Sequence, residues 1–175
     1  MIRLLFIVLF TTTMCKAWAQ PAGNCDCGAI IDHDFKGKIF LYNAPHGHQI
    51  KALQNDSQKE DFLMLKIDND YLDYFHVEIF RALTPASKTS GWIKKRKEIG
   101  TYARNYEQDG TLNLYSKPDS NSHVQSVISG YTNQLYNITK CSKKWAYVII
   151  TFKGHRKEGW LQPDKQCNNP YSTCN

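Results

Sequence analysis

The sequence predicts an all-β chain in which one small barrel or sandwich occurs twice. Three observations carry this. Short apolar runs alternate with polar residues and are closed by turn signals at intervals of about ten residues. No stretch of ordinary helix length places apolar residues at helical spacing. The segment Gly110, Thr111, Leu112, Asn113, Leu114, Tyr115, Ser116, Lys117, Pro118 also has an earlier echo in Gly37, Ile39, Leu41, Tyr42 and Pro45.

Residues 1–19 read as a signal peptide, with Arg3 as the positive start, Leu4 to Phe10 as the apolar run and Ala17, Trp18, Ala19 as the cleavage site. The run falls short of the roughly 20 residues that span a bilayer, so no stable membrane anchor is expected. The rival is a lipid on Cys15, and Met14, large where a small residue precedes such a cysteine, argues against it. Residues 20–35 form a polar lead-in with the Cys25, Asp26, Cys27 cluster, of which Ala29, Ile30 and Ile31 look buried.

The first repeat is placed at residues 36–97. Ile39 and Leu41 alternate with Phe40 and Tyr42 as its opening strand, which ends at Pro45 because proline cannot donate to a ladder. Ile50, Ala52 and Leu53 give a second strand. Phe62 to Ile67 and Tyr74 to Phe80 form a hairpin around an acidic turn from Asp68 to Asp73, and Gly91, Trp92, Ile93 close the unit. Residues 98–108 are a connector with Tyr102 and Tyr106, too aromatic for a flexible linker. The second repeat, 109–166, follows in register: Ile67 matches Ile138, Tyr74 matches Trp145, Val77 matches Val148, and Gly91, Trp92 match Gly159, Trp160. A cysteine-containing tail occupies 167–175.

Residues 112–161 resemble the bacterial SH3 (SH3b) domain family. The likeness rests on Leu112, Asn113, Leu114 and Pro118 in an opening strand, Trp145 and Val148 in a central W-x-x-V strand, and the closing Gly159, Trp160 pair. The first repeat, with Tyr74 and Gly91, Trp92, carries it more weakly. Tyr115 and Tyr42 stand where the family often has Arg. The resemblance implies two tandem SH3-like five-stranded small barrels, whose usual work is to bind cell-wall peptides or other proteins.

In Trp145 to Ile150, strand alternation puts Ala146, Val148 and Ile150 on one face and Trp145, Tyr147 and Ile149 on the other. The first repeat puts Phe75, Val77 and Ile79 inward, with Tyr74, His76 and Glu78 opposite. Clustered exposed aromatics are binding candidates. The expected ligand-binding residues are therefore Tyr115, Trp145, Tyr147 and Trp160, with Tyr42, Tyr74, His76 and Trp92 in the first repeat. The bland alternative is that these rings cover a junction between the repeats.

The net charge is +6 over the full chain, and loss of Arg3 and Lys16 lowers it by two; this mild excess is the pattern of a solvated surface. Lys140, Lys143, Lys144, Lys153, Arg156 and Lys157 surround one hairpin near aromatic rings, but an exported protein seldom meets nucleic acid. Five cysteines remain after signal removal: Cys25, Cys27, Cys141, Cys167 and Cys174. Export permits disulfides, and the Asn168, Asn169, Pro170 turn favours Cys167 with Cys174. Cys25 or Cys27 is expected to tie the N-terminal segment to the body or to another molecule. Cys25, Cys27, His46 and His48 offer zinc-type ligands without a finger spacing, and Asp68, Asp70 and Asp73 lack the glycine and distal Glu of a calcium loop. No metal and no cofactor is expected.

No GxSxG, HExxH or P-loop is present. The expectation is a non-catalytic protein, periplasmic, secreted or on the cell surface, that recognises a peptide or protein ligand, with peptidoglycan peptide as one candidate. The alternative is an inhibitor or immunity-type protein that binds an exported enzyme; a thiol- or metal-dependent enzyme ranks below both.

Overall fold

The computed structural model describes residues 23–104, 106–107, 109–169 and 171. The expected signal peptide and Cys174 lie outside the described residues. The chain is all-β, as its alternation requires: thirteen strands join in one large antiparallel sheet, with a single 3-10 turn at Pro163–Lys165 and no α-helix among the described residues.

The strands are β1 Gly23–Ile31, β2 Ile39–Tyr42, β3 Gln49–Leu53, β4 Leu63–Tyr71, β5 Tyr74–Arg81, β6 Thr89–Lys94 and β7 Ile99–Ala103. They continue with β8 Thr111–Tyr115, β9 Val124–Ser129, β10 Tyr136–Ser142, β11 Trp145–Phe152, β12 His155–Leu161 and β13 Gln166–Cys167. Their order across the sheet is β3-β2-β6-β5-β4-β1-β7-β10-β11-β12-β8-β9, with β13 added to β7. Read from each outer edge inward, both halves use their own five strands in the order second, first, fifth, fourth, third. The duplication is therefore visible in topology.

The irregularities are duplicated too. One bulge separates Leu41 from Tyr42 in β2–β3, and its counterpart separates Leu114 from Tyr115 in β8–β9. A second interrupts β4–β5 between Ile67 and Asn69, and again β10–β11 between Ile138 and Lys140. The tight turns after these strands place Leu72 and Lys143 in the left-handed region, each at φ 51°. The glycine of each Gly-Trp pair has one reason. A Cβ on Gly91 would stand 2.8 Å from Leu41 Cγ and 3.0 Å from the Tyr42 carbonyl oxygen; on Gly159 it would stand 2.9 Å from Leu114 Cβ and 3.0 Å from the Tyr115 carbonyl oxygen. The closing strand runs so close to the opening strand that no side chain fits between them.

One sheet runs through both halves instead of dividing into two separate barrels. The expected lead-in and connector are themselves strands, and they fuse the halves. β1 pairs with β4 from Gly23↔Asp70 to Ile30↔Met64, then with β7 through Ile30↔Gly100 and Ile31↔Ile99. β7 in turn pairs with β10 through Tyr136↔Thr101 and Asn137↔Gly100. Separated barrels would leave the outer edges of β4 and β10 with unpaired backbone groups, a condition that folded proteins avoid by covering the edge. The acidic stretch from Asp68 to Asp73 is also largely strand, since the bulge at Asp68 re-aims Asn69, Asp70 and Tyr71 into pairs with His76, Phe75 and Tyr74 and leaves Leu72 and Asp73 as the turn.

Alternate residues point into one hydrophobic cluster that includes Leu41, Phe75, Val77, Leu112, Leu114, Ala146 and Val148. With no α-helix among the described residues to cover it, a sheet whose inner side chains are this buried must fold over on itself. The seam has its own polar anchor. Asp70 accepts a hydrogen bond from the Cys141 backbone N–H at 2.8 Å and another from Lys95 Nζ, whose charge also lies 4.6 Å from the Phe75 ring centroid.

Candidate functional site

The strand pairing turns the predicted aromatics into two ladders. In the second half, Tyr115, Trp160 and Tyr147 are successive Cα partners across β8, β12 and β11, and Lys140 of β10 follows. In the first half Tyr42, Trp92 and His76 follow one another across β2, β6 and β5, and Asn69 of β4 comes next. Ring contacts repeat in the same way. Tyr147 meets Trp160 edge-on at 5.4 Å where His76 meets Trp92 at 5.2 Å, and Tyr115 meets Trp145 at 5.8 Å where Tyr42 meets Tyr74 at 6.0 Å. Such edge-to-face pairs contribute about 0.5–1.5 kcal/mol each beyond area burial.

Seven of the eight expected residues are half-buried; Tyr74 is not. It is 6% exposed, because Tyr42 packs on one side of its ring and His46 lies 5.0 Å away on another. The alternation that set it beside His76 and Glu78 holds, but the loop carrying Pro45 and His46 folds over the end of that face. In the second half the Tyr147 hydroxyl accepts a hydrogen bond from Gln125 Nε2 at 3.1 Å, and Lys140 Nζ lies 5.2 Å from the Tyr147 ring centroid.

Beside the first ladder is an open groove of about 470 Å³ lined by Pro45, His46, Asn69, Tyr71, Leu72 and Trp92, a volume within the usual range for ligand pockets. Tyr71 meets Trp92 at 6.2 Å. Leu72 forms its lip, 64% exposed and held at positive φ. A bulky apolar residue at such a position gives up backbone energy and hydrophobic burial together, a combination that points to function. Polar groups border it: His46 Nε2 is 3.7 Å from Asp73, and His76 Nδ1 is 2.6 Å from Asp68. Of the expected residues only Trp92 lines this groove. Reading 68–73 as a solvated acidic turn hid Tyr71 and Leu72; the signal that could have found them is a leucine in a tight turn where Gly or Asn is usual.

The corresponding surface of the second half is more basic. The register sets Lys140 against Asn69, Lys143 against Leu72 and Lys144 against Asp73. One scaffold therefore presents an aromatic, partly acidic groove and an aromatic, basic face.

The four residues with zinc-type side chains do not come together. Cys25 and Cys27 are buried at the seam, while His46 sits over Tyr74 and His48 is exposed. Among the described residues, the group of three potential metal ligands with donor atoms within 4.8 Å is Asp32, His33 and Asp34, on an exposed loop. There His33 Nδ1 lies 2.6 Å from the Tyr102 hydroxyl. Burial, then the nearby Asp32 and Asp34 carboxylates, push the Tyr102 phenol up to about 12.

In this structure Cys25, Cys27 and Cys141 are unbridged thiols. Cys167 is buried in β13, and its expected partner Cys174 lies outside the described residues. No protein-family model matches the chain, and no curated protein does.

Proposed function

We propose that the chain is an exported, non-catalytic binding protein made of two fused SH3-like modules, and that it takes a peptide or protein segment in the groove between Trp92 and Leu72. The observation that carries this is Leu72 itself, exposed and strained on the lip of an aromatic groove. The SH3-like reading is supported by the strand order and the bulges common to both halves. Export rests on the N-terminal sequence, and peptidoglycan peptide remains one candidate ligand. Pull-down with the mature chain against cell-wall fragments and periplasmic proteins tests the reading. Capture that is lost in Trp92→Ala and Leu72→Gly supports it; capture unchanged in both, or none from either source, overturns it.

A second reading has one observation in its favour. Leu72 protrudes from a two-residue turn, a shape suited to entering another protein's cleft, as an inhibitor or immunity-type protein would. A stoichiometric complex with one exported enzyme, and no retention on cell wall, would select it.

A further inference from the structure

Three cysteines far apart in sequence meet where the halves are joined. β1 runs parallel to the turn between β10 and β11: Cys25 bridges Lys143, the Asp26 N–H donates to the Lys143 carbonyl at 2.6 Å, and the Lys143 N–H donates to the Asn24 carbonyl at 2.8 Å. Cys25 and Cys27 alternate with exposed Asn24 and Asp26 and so both turn inward, at 5% and 1% exposure, while Cys141 of β10 is 5% exposed. The Cys25 thiol donates to the Cys141 carbonyl at 3.1 Å. Cys27 and Cys141 both reach the Lys143 carbonyl at 3.5 Å, and Cys27 also donates to the Trp145 carbonyl at 3.2 Å.

We infer that the exported chain carries a disulfide between Cys25 and Cys141, which staples the first strand to the second half and leaves Cys27 as a thiol. Register favours Cys25. The parallel bridge sets Cys25 opposite Lys143, two residues from Cys141, whereas Cys27 lies a further two residues along and its thiol is already held by two carbonyls. Direct interaction with Cys141 is also the largest influence on the Cys25 thiol, ahead of burial, and both raise its pKa.

The oxidant is a disulfide reagent, here oxidised glutathione. One cysteine thiolate attacks it and releases one glutathione thiol. The second cysteine then attacks the mixed disulfide and releases the other. Two thiols are oxidised, one disulfide is reduced, and the two protons end on glutathione. With all three sulfurs buried in the folded chain, the exchange precedes closure of the seam.

The test is refolding of the mature chain, residues 20–175, in a glutathione redox buffer, blocking of free thiols by iodoacetamide under denaturing but non-reducing conditions, and tandem mass spectrometry of the digest. The expected result is an intrachain link between Cys25 and Cys141 with Cys27 alkylated, retained in Cys27→Ser and lost in Cys25→Ser. Alkylation of all three thiols in the wild-type chain overturns the assignment, as does a link from Cys141 to Cys27 or to any other cysteine. Mapping of the wild-type chain decides this even if the variants fold poorly. It needs no ligand, so its failure is separate from failure of the binding reading.

Discussion

Tyr147 and Trp160 lie edge to face across β11 and β12, ring centroids 5.4 Å apart, at the positions that His76 and Trp92 occupy in the first half. The contact is present in both halves although one of its two members is tyrosine in the second half and histidine in the first. What the halves share is the position; what they offer a ligand differs.

That difference can be measured by Trp92→Ala and Trp160→Ala. If binding centres on the first groove, Trp92→Ala weakens it by roughly 30-fold, the scale of an interface hot spot near 2 kcal/mol, and Trp160→Ala weakens it far less. Titration calorimetry with the captured ligand reads both, and circular dichroism checks that each variant keeps its sheet.

Leu72→Gly separates stability from binding. Glycine relieves the left-handed strain, so the variant should be more stable by about 1 kcal/mol, visible as a higher urea midpoint, while ligand retention falls. A less stable variant would show that Leu72 packs rather than waits for a partner.

Gly91→Ala and Gly159→Ala should each cost about 1–3 kcal/mol, the usual penalty for overpacking, because the added methyl meets Leu41 or Leu114 and a carbonyl oxygen at 3.0 Å or less. Denaturant unfolding reads the loss. Gly159 should be the more costly, since its φ of 150° is also unfavourable for a side chain.

Asp70→Ala removes the acceptor of the Cys141 N–H and the partner of Lys95, whose side chain is 16% exposed. Breaking a buried pair from one side costs about 3 kcal/mol. The double variant Asp70→Ala with Lys95→Met should recover part of it, and a thermodynamic cycle over the four proteins checks the coupling.

Alkali should unfold the reduced protein in two stages. The Cys25 thiol is raised by its contact with Cys141 and by burial. The Cys141 thiol is lowered by its bond with Cys25 and raised more by Cys27 and burial. Tyr136, whose hydroxyl lies 2.9 Å from that of Tyr106, is raised by burial first and by Tyr106 second. All three groups hold their protons longer when folded, so their stability is complete below the unfolded pKa and is lost as pH climbs past it. The loss should begin near pH 8.5, the ordinary thiol value, and steepen near pH 10, the ordinary phenol value. Urea midpoints from pH 7 to 11 test this, and Tyr136→Phe should flatten the upper stage.

The strands inside each repeat were legible because each has one buried face: Ala146, Val148 and Ile150, or Phe75, Val77 and Ile79, alternate with half-exposed neighbours. The seam strands lack that signal. β7 is buried at Ile99, Gly100, Thr101 and Ala103, so no polar residue marks an outer face, and β1 ends in Ala29, Ile30 and Ile31, all buried without alternation. Of the site, the ring positions could be read from strand period. The groove could not, because a bulge at Asp68 and a loop over Tyr74 create it.

The position of β1 between β4 and β7 also governs how the polypeptide matures. It is the first strand of the described chain to be synthesised, yet its second neighbour begins at Ile99 and its parallel partner Lys143 comes later still. Until those residues emerge, the early half has an open border that can pair with any passing strand. Cutting the gene between the repeats would make that border permanent, so neither half should be expected to serve as an independent, transplantable part.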